Sequence, residues 1–415
     1  MMSRKNHGEK HIFCVLTAVL IGILVSSVIA ILSIGVKEFF DLIHDSILQP
    51  VHASLILVVL LLSGLAGSLI VKKISPTAEG PGLHVAVEEF HNEEERTPSK
   101  NIFYKFAATF TNVAAGSSMG LVSPSSLIGF VTGEKVGESL KIERDLIRTL
   151  SLCGMAAAIS TLLETPFGAA IFAVEIVYRN KILYRRFFLT LVSSTTAFFF
   201  SSLILTDKPD LGLPPMFPDY TLLDLSMILI IALVVTLINI LFIKFYQAIH
   251  DKIKRPRKGI IDFLKPAFGM VVAGLVMLPV YGYLIDFGYA GGFTESLIPL
   301  DSPMSTLIFV SLTLFVTTAI IAGTGNSGGL FMPVLVLGGL IGRVISMNFM
   351  DSKPAIFITA GMSAAISTTL NVPIASAVIC LELFGPQAIL PATIGSLGGY
   401  FIGGRFIIYH EIDWQ

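Results

Sequence analysis

Three stretches set glycine and proline into otherwise apolar sequence in patterns that suit the binding of a small anion. They are Glu-Gly-Pro-Gly-Leu-His at 79–84, Gly-Leu-Val-Ser-Pro at 120–124 and Gly-Asn-Ser-Gly-Gly-Leu-Phe-Met-Pro at 325–333. Glycine permits backbone that other residues avoid. Proline suits the first helical turn, where its fixed φ fits and its missing N–H is not needed. Each stretch therefore reads as a break followed by a helix start: after Gly82, at Gly120–Pro124 and at Gly325–Pro333. A helix start leaves N–H groups without intrahelical partners, and these groups favour anions. One helix end contributes only about 0.3–2 kcal/mol, against a cost on the order of tens of kcal/mol for stripping an ion of water. Several ends must converge, with side-chain donors beside them.

Other chemistries find less support. Gly325–Gly329 has the Gly-x-Ser-x-Gly form of a serine hydrolase, but that motif needs a strand–turn–helix setting and a His/Asp relay. Here it opens an apolar helix. The run His91–Glu95 contains metal-type ligands, yet reads as a short solvated loop between helices; no metal or cofactor is expected. No Walker loop is present, so ATP-driven pumping has no support. Cys14, Cys153 and Cys380 lie far apart in apolar runs and read as packing residues.

The elements that must position these stretches are membrane helices. Of the 415 residues, 53% are hydrophobic and only 14% charged, where a soluble domain carries about 25% charged residues; mean hydropathy is +0.80. Uncharged runs cover Ile12–Val36, Ala53–Val71, Phe187–Thr206, Leu225–Ile243, Met304–Gly342, Ala355–Leu381 and Leu383–Gly404. A span needs about 20 apolar residues, so Met304–Gly342 is long enough to cross more than once. Ile12–Val36 lacks a small-residue cleavage site and reads as a retained first helix. A net charge of −1 points to no nucleic-acid or acidic partner.

Basic loops set orientation. Arg4, Lys5 and Lys10, then Lys72 and Lys73, then Arg179, Lys181, Arg185 and Arg186, then Lys244, Lys252, Lys254, Arg255, Arg257 and Lys258 alternate with acidic loops holding Glu38, Asp41 and Asp45, and Asp207, Asp210, Asp219 and Asp224. This places the N-terminus and the 244–258 loop in the cytoplasm, with the protein in the cell (inner) membrane.

The chain also repeats itself. Gly154–Glu175 matches Gly361–Glu382 without a gap at an offset of 207, including Met155/Met362, Ser160/Ser367, Thr161/Thr368, Pro166/Pro373 and Glu175/Glu382. Upstream, Gly120, Pro124 and Gly129 match Gly329, Pro333 and Gly338. The reading is one transmembrane domain over 1–415, with halves at 12–206 and 225–404. Such repeats are often inverted, with the binding site at their interface near the bilayer midplane. Broken helices at membrane depth occur only where they are buried or line a cavity.

The three breaks resemble the GSGIP, GREGP and GxFxP signatures of the CLC family of chloride channels and proton/anion exchangers. Thr165–Tyr178 resembles the helix that bears that family's intracellular proton-transfer glutamate. Ile407–Ile412 resembles the segment with its anion-coordinating tyrosine. The resemblance covers roughly 12–412. It implies an all-α membrane protein of about eighteen tilted helices in two inverted halves, and a homodimer with one anion pathway per subunit. Because the chain stops at Gln415, the cytoplasmic nucleotide-sensing (CBS) domains of some relatives are not expected. Carried over residue by residue, the anion-binding and selectivity positions are Gly80, Pro81, Gly82, Leu121, Val122, Ser123, Leu330, Phe331, Met332 and Tyr409.

Three departures matter. Pro81 stands where the family has a serine, and proline has neither a hydroxyl nor an N–H to give an anion. Plant relatives that favour nitrate carry proline here. Val122 stands at the external gating glutamate, and Ile176 at the internal proton glutamate. With both titrating groups absent, the expected function is passive, uncoupled anion conduction, for chloride or for nitrate, bromide or fluoride, in the lipid bilayer and without enzymatic chemistry. The alternative is a proton-coupled chloride or nitrate exchanger that uses another carboxylate, of which Glu175 is the candidate; its repetition at Glu382 speaks for packing instead. His84, beside the first break, is a further titratable neighbour.

Overall fold

The computed structural model describes residues 7–43, 55–92, 96–178, 184–205, 220–254, 259–280, 302–349, 353–404, 406 and 408. Fifteen α-helices account for most of them: α1 His7–Ile43, α2 Ile56–Leu69, α3 Leu83–His91, α4 Lys100–Ala114, α5 Val122–Ser139, α6 Arg144–Leu163, α7 Pro166–Tyr178, α8 Tyr184–Ile204, α9 Leu222–Lys254, α10 Ile260–Met277, α11 Met304–Gly323, α12 Phe331–Phe349, α13 Pro354–Leu370, α14 Pro373–Phe384 and α15 Ile389–Gly403. Among the described residues, eight helices are long and apolar enough to cross a membrane, so the chain is a multi-pass membrane protein. Two of the eight, α6 and α10, lie outside the uncharged runs given above; in α6, Arg144, Asp145 and Arg148 sit in the first two turns and shorten the uncharged stretch. The long run Met304–Gly342 divides into α11 and the start of α12, separated by the break, and each of these helices is long and apolar enough to cross.

Corresponding helices of the two halves fold alike. α5 packs along α6, and α12 along α13. In each pair small residues let the backbones meet, the usual way membrane helices associate without a hydrophobic driving force. A Cβ on Gly129 would run into the Gly154 carbonyl, and one on Gly338 into the Gly361 carbonyl. α6 and α13 both end in a left-handed residue, Glu164 (φ 54) and Asn371 (φ 58), whose N–H bonds Ser160 and Ser367 respectively. Proline then opens α7 and α14. The hydroxyls of Ser160 and Ser367 donate to Ser194 and Ser396, both at 2.8 Å.

Depth in the protein sorts the helices. Of the most apolar stretch of α6, 89% is buried inside the protein, and of α12 78%, against 28% for α8. The broken helices and their partners thus form the centre. α1, α2, α8, α9 and α10 form the periphery, where apolar side chains such as Leu203, Phe199 and Phe268 are exposed.

Candidate anion site

The three breaks come together at the centre. Gly120 and Gly329 form an isolated antiparallel bridge: the Gly120 N–H donates to Gly329 O at 2.8 Å and the Gly329 N–H to Gly120 O at 2.5 Å. This bridge joins the loop before α5 to the loop before α12. A Cβ on Gly120 would stand 2.9 Å from Met332 Cβ, and one on Gly329 3.0 Å from the Ser123 nitrogen, so glycine is what lets the two helix tips approach. The α3 tip joins them: a Cβ on Gly82 would lie 3.1 Å from Leu127 Cδ2 of α5.

Each tip is built to present backbone N–H groups. The first intrahelical bonds are made by Ala86, Ser125 and Val334 to the carbonyls of Gly82, Leu121 and Leu330. N–H groups before them have no helical carbonyl to meet. Pro124 and Pro333 fill the third helical position, where their lack of a donor is harmless. Neither Gly82 nor Leu121 caps its helix with a side chain. Gly80 and Gly82 have φ of +68 and +88, the left-handed region where a side chain is strained; this holds the Gly80-Pro81-Gly82 loop against the tip.

The side chains around the tips are mixed. Val122 is 2% exposed and Phe331 2%; the Phe331 ring stands edge-on to Phe172 of α7, centroids 5.9 Å apart. The hydroxyls of Ser117, Ser123 and Ser125 are buried and meet no hydrogen-bond partner among the described residues. Buried hydroxyls are ordinarily satisfied, and each of these keeps an O–H to donate. Lys105 of α4, a residue sequence reasoning passed over, lies 1% exposed beneath the α3 tip. Its Nζ donates to the carbonyls of Ala78 (3.1 Å) and Gly80 (2.5 Å). A lysine alone in the apolar stretch Phe103–Thr109 was the available signal. Glu79, the acid that packs against the Gly325 turn, is paired with Lys72 at 3.0 Å. The His84 ring lies 3.8 Å from where a Gly80 Cβ would stand.

Glu175 and Glu382 turn out to clamp the two halves reciprocally. Both oxygens of Glu175, on α7, accept from the first two N–H groups of α14, which follow Pro373: Ile374 at 3.0 Å and Ala375 at 2.7 Å. Both oxygens of Glu382, on α14, accept from the first two N–H groups of α7, which follow Pro166: Phe167 at 2.9 Å and Gly168 at 2.6 Å. Ile176 is 3% exposed and packed in the apolar core.

Of the predicted site residues, Gly80, Pro81, Gly82, Leu121, Val122, Ser123, Leu330, Phe331 and Met332 are buried together around the tips. Tyr409 lies outside the described residues; its neighbour Ile408 donates its N–H to Thr369 O at the end of α13. Residues 93–95 of the His91–Glu95 run also lie outside them. Ser327, the serine of the hydrolase-like motif, exchanges a hydrogen bond with Thr109 at 3.0 Å and is fully buried. It ties a loop in place.

Residues 63–404 match the family described as voltage gated chloride channel. Over 385 residues the chain is 25% identical to an uncharacterized protein of Methanocaldococcus jannaschii, covering 92% of this chain and 90% of that one. Among solved structures it resembles a CLC-type fluoride/proton antiporter (TM-score 0.80, 21% identity, 98% of this chain and 99% of that one). It also resembles a slow cyanobacterial Cl−/H+ antiporter (TM-score 0.79, 19% identity, 95% and 96%). A eukaryotic CLC transporter matches as well (TM-score 0.76, 16% identity), with 95% of this chain and 72% of that one covered.

Proposed function

Because the chain belongs to the voltage-gated chloride channel (CLC) family of membrane anion transporters, we propose that it is a passive, uncoupled channel for small monovalent anions. The ion passes where the tips of α3, α5 and α12 converge. Their N–H groups and the free hydroxyl of Ser123 replace its water, and the buried amine of Lys105 stands behind the α3 tip. Leu121, Leu330, Phe331 and Met332 supply an apolar wall that raises the strength of those dipoles.

The observation that carries the uncoupled reading is Val122, a buried hydrocarbon at the first position of α5. A carboxylate there would occupy the helix tip in competition with the anion and leave on protonation. Valine does neither. At the position of the internal glutamate, Ile176 cannot titrate, and both oxygens of the adjacent Glu175 are engaged by α14. The exchanger reading draws on the antiporter descriptions of two structural relatives and needs a carboxyl free to move. Chloride efflux from liposomes shunted by a potassium ionophore, with external pH recorded, tests the choice. The channel reading predicts efflux without proton uptake; proton uptake in fixed proportion to chloride would refute it.

The working unit is a homodimer with one pathway per subunit, in the cell's inner membrane, with the N-terminus cytoplasmic on the strength of the basic loops. No cofactor is needed. Pro81 removes a hydroxyl and an N–H from the site, which disfavours strongly hydrated ions least able to lose water. Pro81→Ser should therefore shift the reversal potential in mixed chloride and nitrate toward chloride; an unchanged potential would remove Pro81 from selectivity.

A further inference from the structure

The polar ends of α3 and α5, away from the anion site, hold two carboxyl groups in contact. Glu89 and Glu134 are 6% and 4% exposed and lie within hydrogen-bonding reach of each other. Glu89 Oε1 accepts from the Thr97 N–H at 3.1 Å. Glu89 Oε2 and Glu134 Oε2 have no hydrogen-bond partner among the described residues. The nearby bases are shared between Glu134 and a third acid, Glu138, and stand closer to Glu138. Arg96 Nη1 bonds Glu138 at 2.6 Å and its Nε stands 3.6 Å from Glu134 Oε1; Lys135 Nζ bonds Glu138 at 2.9 Å and stands 3.7 Å from Glu134 Oε2.

Other charged groups on the surrounding elements have partners of their own. His91 of α3 bonds the Val177 carbonyl of α7 at 2.8 Å. Arg186 of α8 lies over the Phe90 and Tyr178 rings and bonds Asp145 of α6. Lys105 of α4 bonds the carbonyls before α3, and Glu175 of α7 caps α14.

We infer that the Glu89–Glu134 carboxyl pair is a proton-binding site through which pH on the adjoining face of the membrane sets anion passage. Two carboxyls in contact cannot both ionise cheaply. A proton on Glu89 gives a donor toward Glu134 where its free oxygen now only accepts. Burial, with the neighbouring Glu134 adding to it, pushes Glu89 up to about 7 against the pull of the Thr97 hydrogen bonds. From about 4.5 to about 7 the folded chain keeps a proton that the unfolded chain has released, so stability falls as pH rises through that window and levels off above it. Both α3 and α5 run from this pair to their tips at the anion site. Loss of the proton places like charges between them and shifts the Gly80–Gly82 loop and the Val122 tip relative to each other.

The functional half of this inference rests on the anion-passage reading, so the test has two arms. In purified native protein, infrared difference spectra should show a protonated-carboxyl carbonyl band that disappears with a midpoint near 7. Glu89→Gln should lack it, Glu134→Gln should keep it with its midpoint moved to lower pH, and Glu138→Gln should keep it unchanged. In liposomes, native flux should change by about fivefold or more across the same midpoint. Glu89→Gln, which mimics the proton-bound pair, should hold the acid-side value throughout. Absence of the titrating band, or its survival in Glu89→Gln, overturns the proton site whether or not the chain passes anions. A band that titrates while native flux stays constant with pH overturns the coupling.

Discussion

Val122→Glu should cut anion flux at neutral pH by about tenfold or more, a loss of about 1.4 kcal/mol in site occupancy by the permeant ion, and acidification should restore it. The new carboxylate begins α5 and meets the same N–H groups that receive the anion. Being tethered, it competes at an effective concentration in the millimolar range or above. Protonation removes its charge and its claim on the helix tip. Val122→Gln is the control: it adds similar bulk without charge, so flux through it should carry no comparable dependence on pH. Tracer efflux from liposomes over a pH series reads both. Unaltered neutral-pH flux in Val122→Glu would mean that the ion does not pass the α5 tip.

Glu175→Ala should destabilise the protein by about 2–6 kcal/mol. It leaves the N–H groups of Ile374 and Ala375 without acceptors, and a buried donor stripped of its partner costs about 1–3 kcal/mol. Glu382→Ala should act in the same direction through Phe167 and Gly168. Each glutamate holds the helix start from which the other is reached, so the double variant should lose less than the sum of the two. Thermal unfolding in detergent measures the three. If Glu175→Ala instead kept native stability and altered proton movement, the residue would be a proton carrier and the clamp would be incidental.

Much of this was legible in the chain. Gly82, Gly120–Pro124 and Gly325–Pro333 announced where helices begin, because proline and glycine are punished almost everywhere else in a membrane helix. The repeat made Glu175 and Glu382 counterparts, and that symmetry already favoured packing over proton relay. Contacts across the two halves were not legible. The Gly120–Gly329 bridge joins residues at matching positions, since the tips of related elements meet at the repeat interface. Alignment marks such residues as equivalent but cannot say that they touch. Lys105 reads as an isolated charge until α4 is seen lying under the Gly80 carbonyl. Glu89 and Glu134 belong to no motif in the sequence, and the α3–α5 contact is what buries them together. The about eighteen helices implied by the resemblance compare with fifteen in the described residues.

The central claim is that converging helix tips pass a naked anion with no proton in exchange. It is tested most directly by clamping a bilayer containing the purified protein, with equal chloride on both sides and a pH step across it. The account predicts a current that reverses at zero voltage whatever the step. A reversal potential that moves with the pH difference, in either direction and in constant proportion, would contradict it.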